Sequence, residues 1–282
     1  VEGFWYRTIL WEVPLMALIS ELFYKANHLI RLNDDAVKNL TQEKIENYNK
    51  LGVSVLEFGT RRRHSYEVHY LINETLKTYG GQSFIGTSNV HFAMVNNKRP
   101  LGTHAHEWFM FHAAQYGFKM ANSISLEHWT QVYSGDLGIA LTDTYTTDIF
   151  FNQFDKKYSK LFDGVRHDSG DPIEFAQKVI SHYIKMGIDP KSKAIVFSDS
   201  LNFEKVKRIA DFCTDKIKMS FGIGTNFTND VGLPAMNMVI KLTDTKPDNT
   251  HWQGVVKLSD EKNKNTGTPE MIALAKEVLG IK

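Results

Sequence analysis

The chain carries one cysteine, Cys213, in 282 residues. A lone cysteine excludes an intrachain disulfide framework and fits a reducing cytosol, so a cytoplasmic location is expected. Charge of one sign is also scarce: 33 Lys and Arg against 32 Asp and Glu leave a net charge of +1. That balance gives no bulk electrostatic pull toward nucleic acid or a membrane surface. The run Arg61-Arg62-Arg63 is then a local device rather than part of a basic face. Long apolar runs are missing too. The longest, Val13 to Ile19, is interrupted by Pro14 and followed by Glu21, which excludes a bilayer-spanning stretch. No signal peptide, internal repeat, low-complexity segment or linker rich in Pro, Gly or Ser is visible. An initiator Met is absent and the chain opens directly into structured-looking sequence, so the N-terminus reads as incomplete.

What is present is ordinary in bulk. Hydrophobic residues make up 42% and charged residues 23%, enough to build one large domain or two modest ones.

The most informative stretch runs from Leu161 to Pro172, LFDGVRHDSGDP. A short apolar run gives way to Arg166, His167 and Asp168, and an apolar-periodic segment follows from Ile173 to Met186. This reads as a buried strand, a polar turn at its C-terminal end, and a helix entered through Asp171 as N-cap and Pro172 at the first position. Chemistry in α/β proteins gathers at such strand ends.

The same rhythm recurs. Strands are expected at Val53–Phe58, Ser83–Ile85, Pro100–Leu101, Leu137–Leu141, Ala194–Phe197 and Met219–Phe221, most with a helix behind them. Met236–Leu242 and Gly254–Leu258 are further strand candidates. Helices are expected at Thr8–Leu29, Thr41–Leu51, Ser65–Tyr79, His91–Val95, Trp108–Tyr116, Asn202–Phe212 and Pro269–Leu279. About seven strand–helix units argue for a parallel sheet with crossover helices, closed or nearly closed into a β/α barrel.

Each apolar run ends in polar or glycine-rich residues: Arg61, Ser88, His106, Asp143, Arg166 with Asp168, Asp199, and Gly222 with Gly224. Gly222-Ile223-Gly224-Thr225 and Ser198-Asp199-Ser200 offer free backbone amides that suit a phosphate. Arginines answer anionic oxygens, and aspartates suit ribose hydroxyls or Mg²⁺. A phosphorylated, hydroxyl-bearing ligand such as a phospho-sugar fits. A histidine near a helix start is more often a hydrogen-bonded structural residue than a nucleophile. For His106 the neighbouring strand end brings Asp143, and a carboxylate on one imidazole nitrogen leaves the other nucleophilic. His64 and His104 read as structural or supporting, and His104 with His106 is a weak zinc signal.

At these residues the sequence resembles the nicotinate phosphoribosyltransferases. The blocks WEVPLMALISEL, EFGTRRRHSYEV, IGTSNV, GTHAHEWFM, ALTDTYTTD, FDGVRHDSGDP, VFSDSLN and FGIGTNFTND run in the family's order over nearly the whole chain. The resemblance implies an α/β fold, an irregular, partly closed parallel β/α barrel of the type II phosphoribosyltransferase kind, with remnants of an α/β N-terminal domain. Residues 1–52 are expected to lead from that domain, 53–242 to form the barrel, and 243–282 to pack back as a strand and helix. The reaction implied joins nicotinate to phosphoribosyl pyrophosphate, giving nicotinate mononucleotide and pyrophosphate. ATP hydrolysis is coupled through a phosphohistidine, with Mg²⁺ as cofactor and a homodimer sharing its active sites.

On this chain the resemblance implies His106 as the phosphorylated residue and Asp143 as its orienting carboxylate. Phe58 matches the aromatic under the pyridine ring, Arg61 and Arg166 the groups meeting substrate anions, and Asp168 the residue at the ribose. Ser198, Asp199, Gly222, Gly224 and Thr225 match the 5′-phosphate end. The family's KLSD-x-x-GK tail is altered here: Lys257, Ser259 and Asp260 are followed by Lys262, Asn263 and Lys264, with Asn263 in place of Gly. Ser88 separates this reading from a nicotinamide or quinolinate enzyme, because a carboxylate there would repel an acid while a hydroxyl accepts one. A non-catalytic barrel that binds phosphorylated metabolites is the alternative from another class.

Overall fold

The computed structural model describes residues 1–249, 251–261 and 264–281. The chain divides into two compact units, each discontinuous in sequence. Lys262 and Asn263, on which the altered tail turns, lie outside the described residues. Among the described residues, no helix is long and apolar enough to cross a membrane.

The first unit comprises Val1–Gly102, Ser198–Asp211 and Met219–Ile240. It holds the parallel strands β1 (Ser54–Glu57), β2 (Phe84–Thr87), β3 (Arg99–Pro100) and most of a further strand, Lys218–Ile223, in the order β3, β2, β1, Lys218–Ile223. Three of the four residues of β1 are buried, as expected of a strand covered on both faces. Helices pack over it. The helix Asp34–Leu51 starts where Asn33 accepts from the Ala36 amide at 2.9 Å and stops at Gly52, whose φ of 72° suits a residue without Cβ. Its inner face is Val37, Thr41, Ile45 and Tyr48, a helical spacing; full burial of a residue such as Val37 or Ile45 stabilises by roughly 1.5–3 kcal/mol. Near the N-terminus a helical turn Trp5–Thr8 and a 3₁₀ turn Ile9–Trp11 precede the helix Glu12–Ala26, with Pro14 in the first turn.

The second unit comprises Thr103–Phe197, Phe212–Lys218 and Lys241–Lys282. Its parallel strands are β4 (Ile139–Leu141), β5 (Gly164–His167) and β6 (Ala194–Phe197), with β5 in the middle. Counting Lys218–Ile223 as β7, seven parallel strands are present among the described residues. The α/β class and the parallel strand–helix alternation are those expected from the sequence. The helix Pro172–Lys185 begins as its sequence dictates: Asp171 accepts from the amides of Ile173 and Glu174, and Pro172 opens the helix. A core cluster of Phe109, Leu141, Tyr145, Val256, Leu258 and Ala275 joins the helices His106–Tyr116 and Pro269–Leu279 to β4 and the C-terminal segment.

One expected strand is not there. Met236–Leu242 forms no strand, and two of its backbone groups are bound by side chains instead of a ladder. Arg62 donates to the Met238 carbonyl at 3.1 Å, and the Leu242 amide donates to Glu107 at 3.1 Å. The pairing nearby is antiparallel, between β8 (Asp244–Thr245) and β9 (Gln253–Gly254). Beyond β9, Lys257 bridges to Thr266 rather than extending a long strand.

Candidate active site

His106 opens the helix His106–Tyr116 and is 6% exposed. Its Nε2 lies 3.0 Å from Asp168 Oδ2, and its Nδ1 lies 3.0 Å from Thr144 Oγ1. The carboxylate in hydrogen-bond contact is therefore Asp168. Asp143, the partner expected from chain order, stands 3.8 Å from Nε2 and accepts instead from Ser169 Oγ at 2.6 Å. Strand register explains why both carboxylates face one imidazole. Leu141 of β4 pairs with Arg166 of β5, and each aspartate follows its strand residue by two. Thr142 Oγ1 fastens the two strand ends by donating to the Arg166 carbonyl at 3.1 Å.

Arg166 completes the cluster. It donates to Asp168 Oδ1 at 2.5 Å and to Thr103 Oγ1 at 2.8 Å. Burial alone would raise the Asp168 carboxyl, but Arg166 above all, with His106 and Lys257, holds it well below the usual carboxylate range. Burial lowers the His106 imidazole, and the opposing pull of Asp143 and Asp168 does not reverse this. A neutral imidazole beside an ionised carboxylate has one consistent arrangement. Asp168 can only accept, so the ring proton sits on Nε2, and Nδ1 accepts from the Thr144 hydroxyl.

The C-terminal segment is woven into this cluster. The Leu258 amide donates to the Thr144 carbonyl at 2.8 Å, Lys257 Nζ lies 3.9 Å from Asp143, and Asp260 accepts from the amide and hydroxyl of Thr147 at 2.8 and 2.6 Å. Lys264 pairs with Glu261 at 2.8 Å. Oδ1 of Asp143 is buried without a hydrogen bond among the described residues. Together His106, Asp143 and Asp168 offer ligand atoms within 4.8 Å of one another. His104 is packed among Phe109, Trp129 and Phe162, and burial pushes its pKa down to about 3. His64 stacks on Tyr24 at 4.5 Å.

In the first unit, the ends of β2, β1 and β7 lie side by side because the strands are neighbours. They carry Ser88, Phe58 with Arg61, and Gly222, Gly224 and Thr225. Phe58 is half-buried, its amide donates to the Ile223 carbonyl at 2.8 Å, and its ring lies against Gly222, where a Cβ would stand 2.7 Å from Cε2. Only glycine admits the ring at that distance. Ser88 is exposed, and Arg61 is 43% exposed and paired with Glu12 at 3.2 Å. Ser198 and Asp199 are half-buried just after β6. Thr144, Thr103, Ser169, Glu57 and His69 were not singled out from sequence. Thr144 and Ser169 carry a sequence signal, their places in the turns beside Asp143 and Asp168.

Parallel strands ending in polar turns, with a buried histidine between two carboxylates and an arginine, define an α/β enzyme built for anionic substrates. Residues 53–282 match the model of the "Nicotinate phosphoribosyltransferase (NAPRTase) family". A nicotinate phosphoribosyltransferase of Chromohalobacter salexigens is 60% identical over 281 residues, which span 100% of this chain and 72% of the relative; one of Desulforapulum autotrophicum is 48% identical over 283 residues, 99% of this chain and 72% of the relative. The crystal structure of nicotinate phosphoribosyltransferase from Porphyromonas gingivalis superposes with a TM-score of 0.96 at 47% identity, over 99% of this chain and 72% of that one. The chain belongs to the nicotinate phosphoribosyltransferase family.

Proposed function

We propose that the protein transfers phosphoribosyl from phosphoribosyl pyrophosphate to nicotinate, forming nicotinate mononucleotide and pyrophosphate. The observation that carries this reading is the family match through residues 53–282, at 60% identity to one relative along the whole chain. In the reaction the pyridine nitrogen forms a bond to the ribose C1 as the C1–oxygen bond to pyrophosphate breaks. Phe58 supplies a flat apolar face for the pyridine ring, and the neutral Ser88 tolerates its carboxylate. Arg61 and Arg166 meet anionic oxygens, and Asp168 serves the ribose. The turns at Ser198–Asp199 and Gly222–Thr225 suit the 5′-phosphate.

ATP coupling acts through His106. As the unprotonated Nδ1 attacks the γ-phosphorus, the bond to the departing ADP breaks, and Asp168 Oδ2, 3.0 Å from Nε2, keeps the ring proton there and offsets the positive charge that develops on the imidazole. The Thr144 hydroxyl, 3.0 Å from Nδ1, turns aside for the attack, and Asp143 lies close enough to stabilise positive charge on the ring. Mg²⁺ fits the oxygen donors better than the imidazole: Asp143, whose Oδ1 makes no hydrogen bond among the described residues, and Asp168 would hold it, and it would neutralise phosphate charge. Lys257, beside Asp143, is placed to meet phosphate oxygens. A homodimer with shared active sites and a cytoplasmic location belong to the same proposal; the single cysteine supports the latter.

The test is product formation. The protein incubated with nicotinate and phosphoribosyl pyrophosphate should release nicotinate mononucleotide and pyrophosphate in equal amounts, faster with MgATP, and should use nicotinamide and quinolinate poorly. Absence of any pyridine mononucleotide with every base and with ATP would overturn the reading in favour of a binding protein.

A further inference from the structure

We propose that Glu57, backed by His69, is a positioning residue that sets the two loops presenting Phe58 and Ser88 to the nicotinate ring. The inference rests on the proposed reaction and deepens it. Glu57 is the last residue of β1 and is fully buried, as is His69 on the helix Tyr66–Tyr79. A buried carboxylate is costly unless each lone pair is engaged, and an apolar residue would serve a strand interior at least as well. Where its contacts lead is therefore informative.

One oxygen, Oε1, accepts from the amide of Gly59, the residue after Phe58. The other, Oε2, accepts from Thr87 Oγ1 at 2.6 Å and lies 2.9 Å from His69 Nε2. The register pairs Glu57 with Thr87 directly, so both side chains stand on one face of the sheet. Thr87 then passes the constraint on: its Oγ1 accepts from the Asn89 amide at 3.0 Å. The Ser88 amide donates to the Glu57 carbonyl at 2.9 Å, and Asn89 reaches back to Thr60 Oγ1 at 3.3 Å. One carboxylate thus grips the backbone on both sides of Phe58 and, through Thr87, on both sides of Ser88. Burial would raise the Glu57 carboxyl, yet His69, Thr87 and Gly59 together hold it below its ordinary value, so it takes part as an anion. The His69 ring is fixed in turn, edge-on to Phe92 at 4.6 Å.

The experiment is a split of Michaelis constants. In Glu57→Gln the amide oxygen can accept from only one of Gly59 and Thr87, and the charge that strengthens both contacts is removed. Thr87→Val removes the link to the second loop without touching the carboxylate and serves if Glu57→Gln does not fold. The expected result in either variant is a rise in the nicotinate KM of about 5–10-fold, the effect of one lost buried hydrogen bond, with the phosphoribosyl pyrophosphate KM within about twofold of wild type. A wild-type nicotinate KM in Thr87→Val, or equal rises for both substrates, would overturn the proposal while wild-type activity still upheld the reaction. A wild-type protein that forms no nicotinate mononucleotide would overturn both.

Discussion

Replacing Asp168 by Asn keeps the shape of the side chain and removes the charge that joins Arg166 to His106. Asp168 accepts from the guanidinium at 2.5 Å and from the imidazole at 3.0 Å, and its side chain is 20% exposed. Breaking one side of a buried pair costs about 3–5 kcal/mol, and a hydrogen bond to a charged group contributes about 1.5–3 kcal/mol. Here Arg166 keeps Thr103 and water reaches the carboxylate, so the lower part of that range applies, about 2–3 kcal/mol. For a chain of this size that corresponds to a fall in Tm of about 5 °C. The pH dependence has a definite sign. A carboxyl held below its unfolded value stabilises the fold above about pH 4, and that contribution is lost as pH falls through the folded value. Scanning calorimetry of both proteins should show the full gap at pH 7 and pH 5, narrowing below about pH 4. Equal Tm values at pH 7, or a gap that widens on acidification, would refute the placement of Asp168 as the ionised link.

Two further substitutions probe the base side. Ser88→Asp introduces a carboxylate facing an acid, a repulsion of about 1–4 kcal/mol at close range, so the ratio of kcat/KM for nicotinate over nicotinamide should fall about tenfold or more; an unchanged ratio would remove Ser88 from selectivity. Gly222→Ala puts a methyl where the Phe58 ring lies, with an overpacking cost of about 1–3 kcal/mol, and should raise the nicotinate KM while circular dichroism stays native. Wild-type kinetics there would mean that the ring position does not matter for the base.

The sequence is most legible where local chemistry decides structure. Asp171 and Pro172 announce a helix start, and the structure has it at that residue. The helix Asp34–Leu51 begins seven residues before the expected Thr41, although Asn33 with Asp34 and Asp35 is an adequate start signal. The helix Ala121–Tyr133 has no reading from sequence because its start lacks a side-chain cap and its buried face includes Asn122 and Ser125. At the candidate site, chain order places Asp143 and Asp168 each just past a strand. Which of them hydrogen-bonds His106 depends on how β4 and β5 align, which no local pattern encodes. Glu57 and His69 are invisible for the same reason: they meet only when the helix packs on the strand.

The central claim is that His106 accepts a phosphoryl group from ATP. It is tested most directly by incubating the protein with γ-labelled ATP and Mg²⁺, then measuring acid-labile label in wild type, His106→Asn and Asp168→Asn. The account predicts label on a single site in wild type, none in His106→Asn, less in Asp168→Asn, and slow ATP-independent transfer surviving in His106→Asn. Acid-labile label retained in His106→Asn, or ATP hydrolysis still coupled to transfer in that variant, would contradict it.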